Sequence, residues 1–145
     1  MMTLDTVTLS FGLLLALKHF VADGPLQTAY MYVNKGKFLH PGGLIHAGLH
    51  GLGTLLALVI AGAVVDHLFL TAFLLLALAD FVIHYFVDMT KVRLTKKYGW
   101  SGMGKAADGS ACLQIYNNAF FVALMADQCL HFATYVVILA VIVAL

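Results

Sequence analysis

Apolar residues fill four long stretches of this chain, and polar residues gather between them. The first stretch runs from about Val7 to Ala22 and stops at Asp23-Gly24-Pro25. Pro25 cannot extend a helix, and Gly24 tolerates unusual backbone angles. A polar connection from Leu26 to His40 carries Gln27, Asn34, Lys35 and Lys37. Pro41 and Gly42-Gly43 open a second stretch that continues to Val65. Its first half is rich in small residues (Gly43, Ala47, Gly48, Gly51, Gly53), which predicts close helix–helix contact in a bilayer. Asp66-His67 makes so short a turn that the second and third stretches read as an antiparallel hairpin. The third is Leu68 to Asp88. A basic segment, Lys91 to Trp100, is expected to go on as a helix along the membrane surface, with Tyr98 and Trp100 at headgroup level. A Gly-rich loop, Ser101 to Ser110, leads to a last helix starting near Cys112 and spanning the bilayer over residues 117–145.

Composition turns these stretches into membrane spans. Of 145 residues, 62% are hydrophobic and only 10% charged, which no ordinary soluble domain shows. The expected fold is all-α: one transmembrane domain over residues 1–145, a four-helix bundle with an additional basic interfacial helix. The spans are placed at 5–23, 42–65, 67–88 and 117–145, with polar loops at 24–41 and 89–116. All eight Lys and Arg fall on one side of this arrangement, so the positive-inside rule puts both loops in the cytoplasm and both termini outside. The first span has no basic n-region or cleavage motif and is expected to be retained. A net charge of +1 gives no electrostatic case for nucleic acid. Cys112 and Cys129 form no CxxC pattern and are read as reduced thiols.

The apolar spans carry ionisable residues at a recurring spacing. Asp80, His84 and Asp88 recur at i, i+4 and i+8, along one helix face. His19 and Asp23 stand 14 and 18 residues from Asp5; Asp80 and His84 stand 14 and 18 from Asp66. His131 and Asp127 stand 14 and 18 residues before Leu145, and His50 and His46 stand 15 and 19 before Val65. At about 1.5 Å per residue, each pair lies roughly 21–28 Å from the outer face, at the cytoplasmic edge of the hydrocarbon core. Isolated charges there would each cost about 2.5–3.5 kcal/mol. One Asp–His pair is ordinarily a hydrogen bond tying two helices, and one edge histidine, such as His40 or His67, is ordinarily interfacial. Four pairs at matching depth point further.

The nine residues His19, Asp23, His46, His50, Asp80, His84, Asp88, Asp127 and His131 are therefore the candidate metal ligands. They exceed what one ion needs and suit one or two ions with outer-shell partners. Imidazole with carboxylate fits a divalent transition metal: Zn first, with Mn or Fe as alternatives. An aspartate left off the metal, Asp80, Asp88 or Asp127, is the candidate general base. Gln128 neighbours Asp127 and is placed to orient a ligand; Asn117 and Asn118 are placed to cap the last helix or line the mouth. Cys129 falls on a different face from His131. Gly99 to Lys105 matches GxxxxGK, but Ala106 follows and no strand precedes it, so the phosphate-loop motif fails.

The segments HFVADGPLQT from His19, HAGLH from His46, DFVIHYFVD from Asp80 and DQCLH from Asp127 resemble a family. It is the small bacterial and phage membrane family catalogued as domain of unknown function number 3307. The resemblance covers most of the chain and implies a multi-pass protein of the bacterial inner membrane, with no established activity. More loosely, the His/Asp helices are similar to inner-membrane proteins described as metal-dependent hydrolases. The leading expectation is a membrane-embedded metal-dependent hydrolase acting on a lipid, an anionic amphiphile or another phosphoester. Its partners are the bilayer and that substrate, with an oligomer compatible. The alternatives are a proton or metal-ion transporter or channel, and a binding or assembly protein with a structural metal site.

Overall fold

The computed structural model describes residues 4–62, 67–100, 102–105, 108–113 and 117–144. Its elements are α1 (Leu4–Asp23), α2 (Ala29–Asn34), α3 (Pro41–Gly62), α4 (His67–Tyr98), β1 (Met103–Lys105), β2 (Ala111–Leu113) and α5 (Asn118–Ala144). The architecture is predominantly helical. The four long helices close a ring in which α1 packs on α3, α3 on α4, α4 on α5 and α5 back on α1. Three of them are long and apolar enough to cross a membrane, over Pro41–Ile60, Leu70–Tyr98 and Asn118–Ala144. Large apolar side chains such as Leu52, Leu75, Leu78, Val122 and Val136 face outward and are more than half exposed. A surface this apolar calls for lipid rather than water.

The small residues of α3 act as expected at one position and not at another. A Cβ on Gly51 would come within 2.9 Å of the Ala77 carbonyl oxygen, so α3 and α4 touch backbone to backbone there. Gly48 has nothing within 4 Å of the same construction and plays no such part. At one end of the bundle Phe11, Leu15, Ala57, Leu58, Phe73, Tyr135 and Ile138 form a buried apolar cluster. A smaller cluster, Ala47, Tyr85 and Met89, lies at the other end.

Three sequence expectations change. The basic segment is no additional helix: α4 runs uninterrupted to Tyr98, and its 32 residues reach about 48 Å, well beyond a hydrocarbon core of about 30 Å. The connection after α1 contains α2, capped by Thr28, whose hydroxyl accepts from the Met31 amide at 3.3 Å. The Gly-rich loop contains a two-stranded antiparallel ribbon pairing Met103 with Leu113, Gly104 with Cys112 and Lys105 with Ala111. Its turn is set by Gly109 at φ +83° and by Asp108, whose carboxylate accepts from the amide and hydroxyl of Ser110 at 2.9 and 2.6 Å. Cys112 is thus in a strand, and the last helix begins at Asn118, where the Asn117 side chain accepts from the Phe120 amide at 3.2 Å. The predicted turn at Asp66 and the side chain of His67 lie outside the described residues.

Candidate functional site

The end of the bundle away from the large apolar cluster holds a layer of buried polar side chains. α1 contributes His19 and Asp23, α3 His46 and His50, α4 His84 and Asp88, and α5 Asp127 and His131. All are buried except Asp23, whose side chain is 25% exposed and forms the solvent-facing edge of the layer. The i, i+4 spacing within each helix does what helical geometry requires: both members of each pair lie on the inward face.

Eight of the nine predicted residues converge in this way. Asp80, the ninth, sits one turn further into the bundle. Its carboxylate accepts from Lys18 Nζ at 2.5 Å and from Thr54 Oγ1 at 2.6 Å, and it belongs to no group of converging donors. The pair that α4 brings to the layer is therefore His84 with Asp88 rather than Asp80 with His84.

Two groups of donors form inside the layer. In the first, Asp23, His46, His50 and His84 bring one ligand atom each to within 4.8 Å of one another. In the second, His84, Asp88 and His131 do the same, so His84 is common to both. Within the first group, Asp23 Oδ1 lies 3.1 Å from His46 Nε2 and 3.6 Å from His50 Nε2, and the Nε2 atoms of His46 and His84 are 3.3 Å apart. Two donors each about 2.0–2.1 Å from a tetrahedral ion are separated by about 3.3 Å. The spacing therefore fits a small divalent cation. The second group is looser: Asp88 Oδ2 is 3.5 Å from His84 Nε2, and Asp88 Oδ1 is 3.9 Å from His131 Nε2. Asp88 Oδ2 also lies 3.1 Å from His46 Nε2, which sets this carboxylate between the two groups.

Several of these atoms lack a hydrogen bond within the protein. Both ring nitrogens of His50, Nε2 of His131, Oδ2 of Asp88 and Oδ1 of Asp127 are buried without one. Buried polar atoms are nearly always satisfied, and each left over costs about 1–3 kcal/mol. The imidazoles are also crowded: His84 stacks on His50 with ring centres 3.4 Å apart and on His131 at 4.1 Å.

Around the donors lies a set of residues that hold them. His19 is engaged at both nitrogens, Nδ1 with the Tyr135 hydroxyl at 2.9 Å and Nε2 with Gln128 Oε1 at 2.9 Å, while Nε2 is 3.2 Å from Asp23 Oδ2. It fixes Asp23 instead of joining the donor groups. Gln27 Nε2 donates to Asp23 Oδ1 at 3.1 Å and lies 3.2 Å from His46 Nε2. Lys35 Nζ donates to Asp88 Oδ1 at 3.1 Å, and Lys91 Nζ is 3.4 Å from Asp127 Oδ2. Asp127 Oδ1 is in turn 3.6 Å from His131 Nε2.

Lys18, Lys35, Thr54 and Tyr135 are members of this constellation that the sequence did not single out. The side chains of both lysines are less than a tenth exposed, and each is paired with an aspartate of α4. A lysine inside an apolar span was the available signal, since such a charge needs a partner. His40, by contrast, is an edge residue as expected, its ring against Tyr30 and its Nδ1 accepting from the Gly42 amide at 3.1 Å.

Comparison with curated proteins and with solved structures returned no match. The sequence profile of the family described as a protein of unknown function, DUF3307, matches residues 11–145. The chain belongs to that family, and the match takes in every residue of the polar layer.

Proposed function

We infer that this DUF3307 protein is a membrane-embedded, metal-dependent hydrolase whose site lies at the cytoplasmic edge of a four-span bundle. The observation that carries the reading is the convergence of imidazole and carboxylate donors from four helices, at ion-compatible spacing, with buried donor atoms left unpartnered. Asp23, His46, His50 and His84 would hold one divalent ion, with Zn preferred and Mn or Fe as alternatives, and His84, Asp88 and His131 would hold a second. A divalent ion in such a site lowers the pKa of bound water and polarises a phosphoryl or acyl oxygen. Asp127 would serve as general base, a role supported by one oxygen that faces His131 without a hydrogen bond while Lys91 faces the other. Asp88 keeps its charge matched by Lys35, and His19 with Gln27 holds Asp23 in position. The apolar exterior, and Lys and Arg confined to the end that carries the site, support a multi-pass bacterial inner-membrane protein with both termini outside. In that setting the substrate is an amphiphile or phosphoester reached from the membrane edge.

A transport reading draws on one observation. Lys18, Thr54 and Asp80 extend the buried polar groups one turn further across the bundle. Beyond them the apolar cluster of Phe11, Leu15, Leu58, Phe73 and Ile138 interrupts any polar path, so this reading ranks second.

Elemental analysis of the detergent-purified protein tests the site. One or two equivalents of a transition metal in the native protein, lost in His84→Ala, are expected; screening of phospholipid and phosphoester hydrolysis then follows. No metal after reconstitution with Zn or Mn overturns the enzyme reading and makes ion flux in liposomes the next assay.

A further inference from the structure

A cleft of about 340 Å³ opens on the outer surface between α4 and α5. None of the second donor group lines it, but Asp127, 3.6 Å from His131, does. Phe86, Val87, Leu94, Ala123 and Leu130 form most of its wall, and Thr90, Lys91, Thr95, Trp100 and Asp127 are its polar members. The distribution is graded along α4. Phe86 and Val87, outward of the buried His84 and Asp88, line its apolar end; Lys91 is one turn on, and Thr95 and Trp100 stand beyond it, toward the basic end. Trp100 stacks on Tyr98 at 5.0 Å, an aromatic pair of the kind that settles at headgroup level. From Phe86 to Leu94 the cleft runs about 12 Å down the helix axis. Its polarity therefore falls with depth as that of a phospholipid does, from an anionic head to an alkyl chain.

A second observation gives the cleft a purpose. Lys91 lines it and is about a fifth exposed, while its partner Asp127 is 4% exposed. Asp127 Oδ1 lies 3.6 Å from His131 Nε2, and neither atom carries a hydrogen bond. A phosphate resting on Lys91 would stand one side chain from the second donor group.

We propose that the α4–α5 cleft is a binding site for a phospholipid with an anionic headgroup, one acyl chain along Phe86, Leu94 and Leu130 and the phosphate on Lys91. The site admits its lipid sideways from the membrane. Its role as a substrate site rests on the hydrolase reading; the binding itself does not.

The protein's single tryptophan, Trp100, lines the cleft and reports on it. The full-length protein in detergent micelles is titrated with phosphatidylglycerol or phosphatidylcholine brominated on one acyl chain, and quenching of Trp100 fluorescence is read. Saturable quenching is expected, with phosphatidylglycerol binding several-fold more tightly. Lys91→Gln is expected to weaken the anionic lipid about fivefold, as the loss of one lysine near a charged surface does, and the zwitterionic one, whose choline offsets its phosphate, by less. Ala126→Phe, at an exposed cleft position where folding tolerates bulk, is expected to abolish saturation for both lipids. Quenching that rises in proportion to lipid content, alike in all three proteins and for both headgroups, overturns the proposal, because Trp100 then samples only surrounding lipid. The assay needs neither metal nor turnover. A metal-free or inactive protein that binds the lipid breaks the hydrolase reading alone, and a metal-loaded protein that fails the titration breaks this one alone.

Discussion

Asp80 and Asp88 lie two turns apart on one helix, both buried and both facing a lysine, yet their surroundings differ. Around Asp80, Lys18 and Thr54 donate to one carboxylate oxygen, and Lys18 also donates to the His50 carbonyl at 3.2 Å and lies over the Tyr135 ring. That cluster matches its charge with its own residues. Around Asp88, Lys35 takes one oxygen, and the other is left among His46 and His84 without a hydrogen bond. Burial of charge is common to both regions; surplus donor capacity belongs to one. A closed ion pair is a device of structure, whereas converging donors left over after every internal partner is counted call for something from outside.

The difference can be broken most forcefully at the closed cluster. Lys18→Ala or Asp80→Ala strands a buried charge and is expected to cost about 3–5 kcal/mol, seen as a large fall in the thermal unfolding midpoint in detergent. Lys18→Met together with Asp80→Leu removes both charges and is expected to restore most of that midpoint with metal content unchanged; a pair as damaging as the single variants would mean that Asp80 does more than balance Lys18. At the open layer the same midpoint responds to ions. Chelation of the native protein is expected to lower it, because metal binding contributes to folding free energy, and to leave His84→Ala unmoved. Metal counts sharpen the point further: His84→Ala, common to both groups, is expected to lose both equivalents, and His131→Ala only one. If His131→Ala emptied the protein, the two groups would be a single site.

A smaller effect is expected at the residues that hold the donors. His19→Ala removes the side chain that fixes Asp23 and is expected to weaken metal affinity about 10–100-fold without abolishing it, measured by competition with a chelating dye. The smallest comes from a carboxylate outside both regions. Asp108 is fully exposed, and its hydrogen bonds from the Ser110 hydroxyl and amide hold its carboxyl below the usual carboxylate range. Those bonds are fully present above that range and lost only as pH falls below it. Asp108→Asn is expected to change neither metal content nor unfolding midpoint, and a loss of metal would extend the site into the ribbon.

The inward faces of α1, α3, α4 and α5 were legible because a repeat of four residues defines a face without reference to any other helix. His46 with His50 and Asp127 with His131 needed nothing more. Asp80 was misplaced by the same logic: with His84 and Asp88 it shares one face over two turns, and spacing alone does not say which two of the three stand level with the neighbouring helices. Lys18 was passed over because it follows Leu17 and precedes His19, a third of a turn off the inward face; its long stem carries the ammonium back across α3 to Asp80. Lys35 reaches Asp88 only because α2 folds the connection against α3, and six residues give too weak a periodic signal to announce a helix. The ribbon rests on one positive-φ glycine and one aspartate–serine turn, features that a Gly-rich stretch also offers to an irregular loop.

The half of the bundle away from the polar layer, with Phe11, Leu15, Leu58, Phe73 and Ile138 packed together, has a consequence for the economy of a living membrane. An energised bilayer stores about 2.3 kcal/mol per unit charge for every 100 mV, and a file of imidazoles and carboxylates reaching from side to side would drain it. The hydrocarbon plug is an insulator. On the function proposed above, it would let a cation-binding centre operate against one compartment while the voltage across the sheet stays intact.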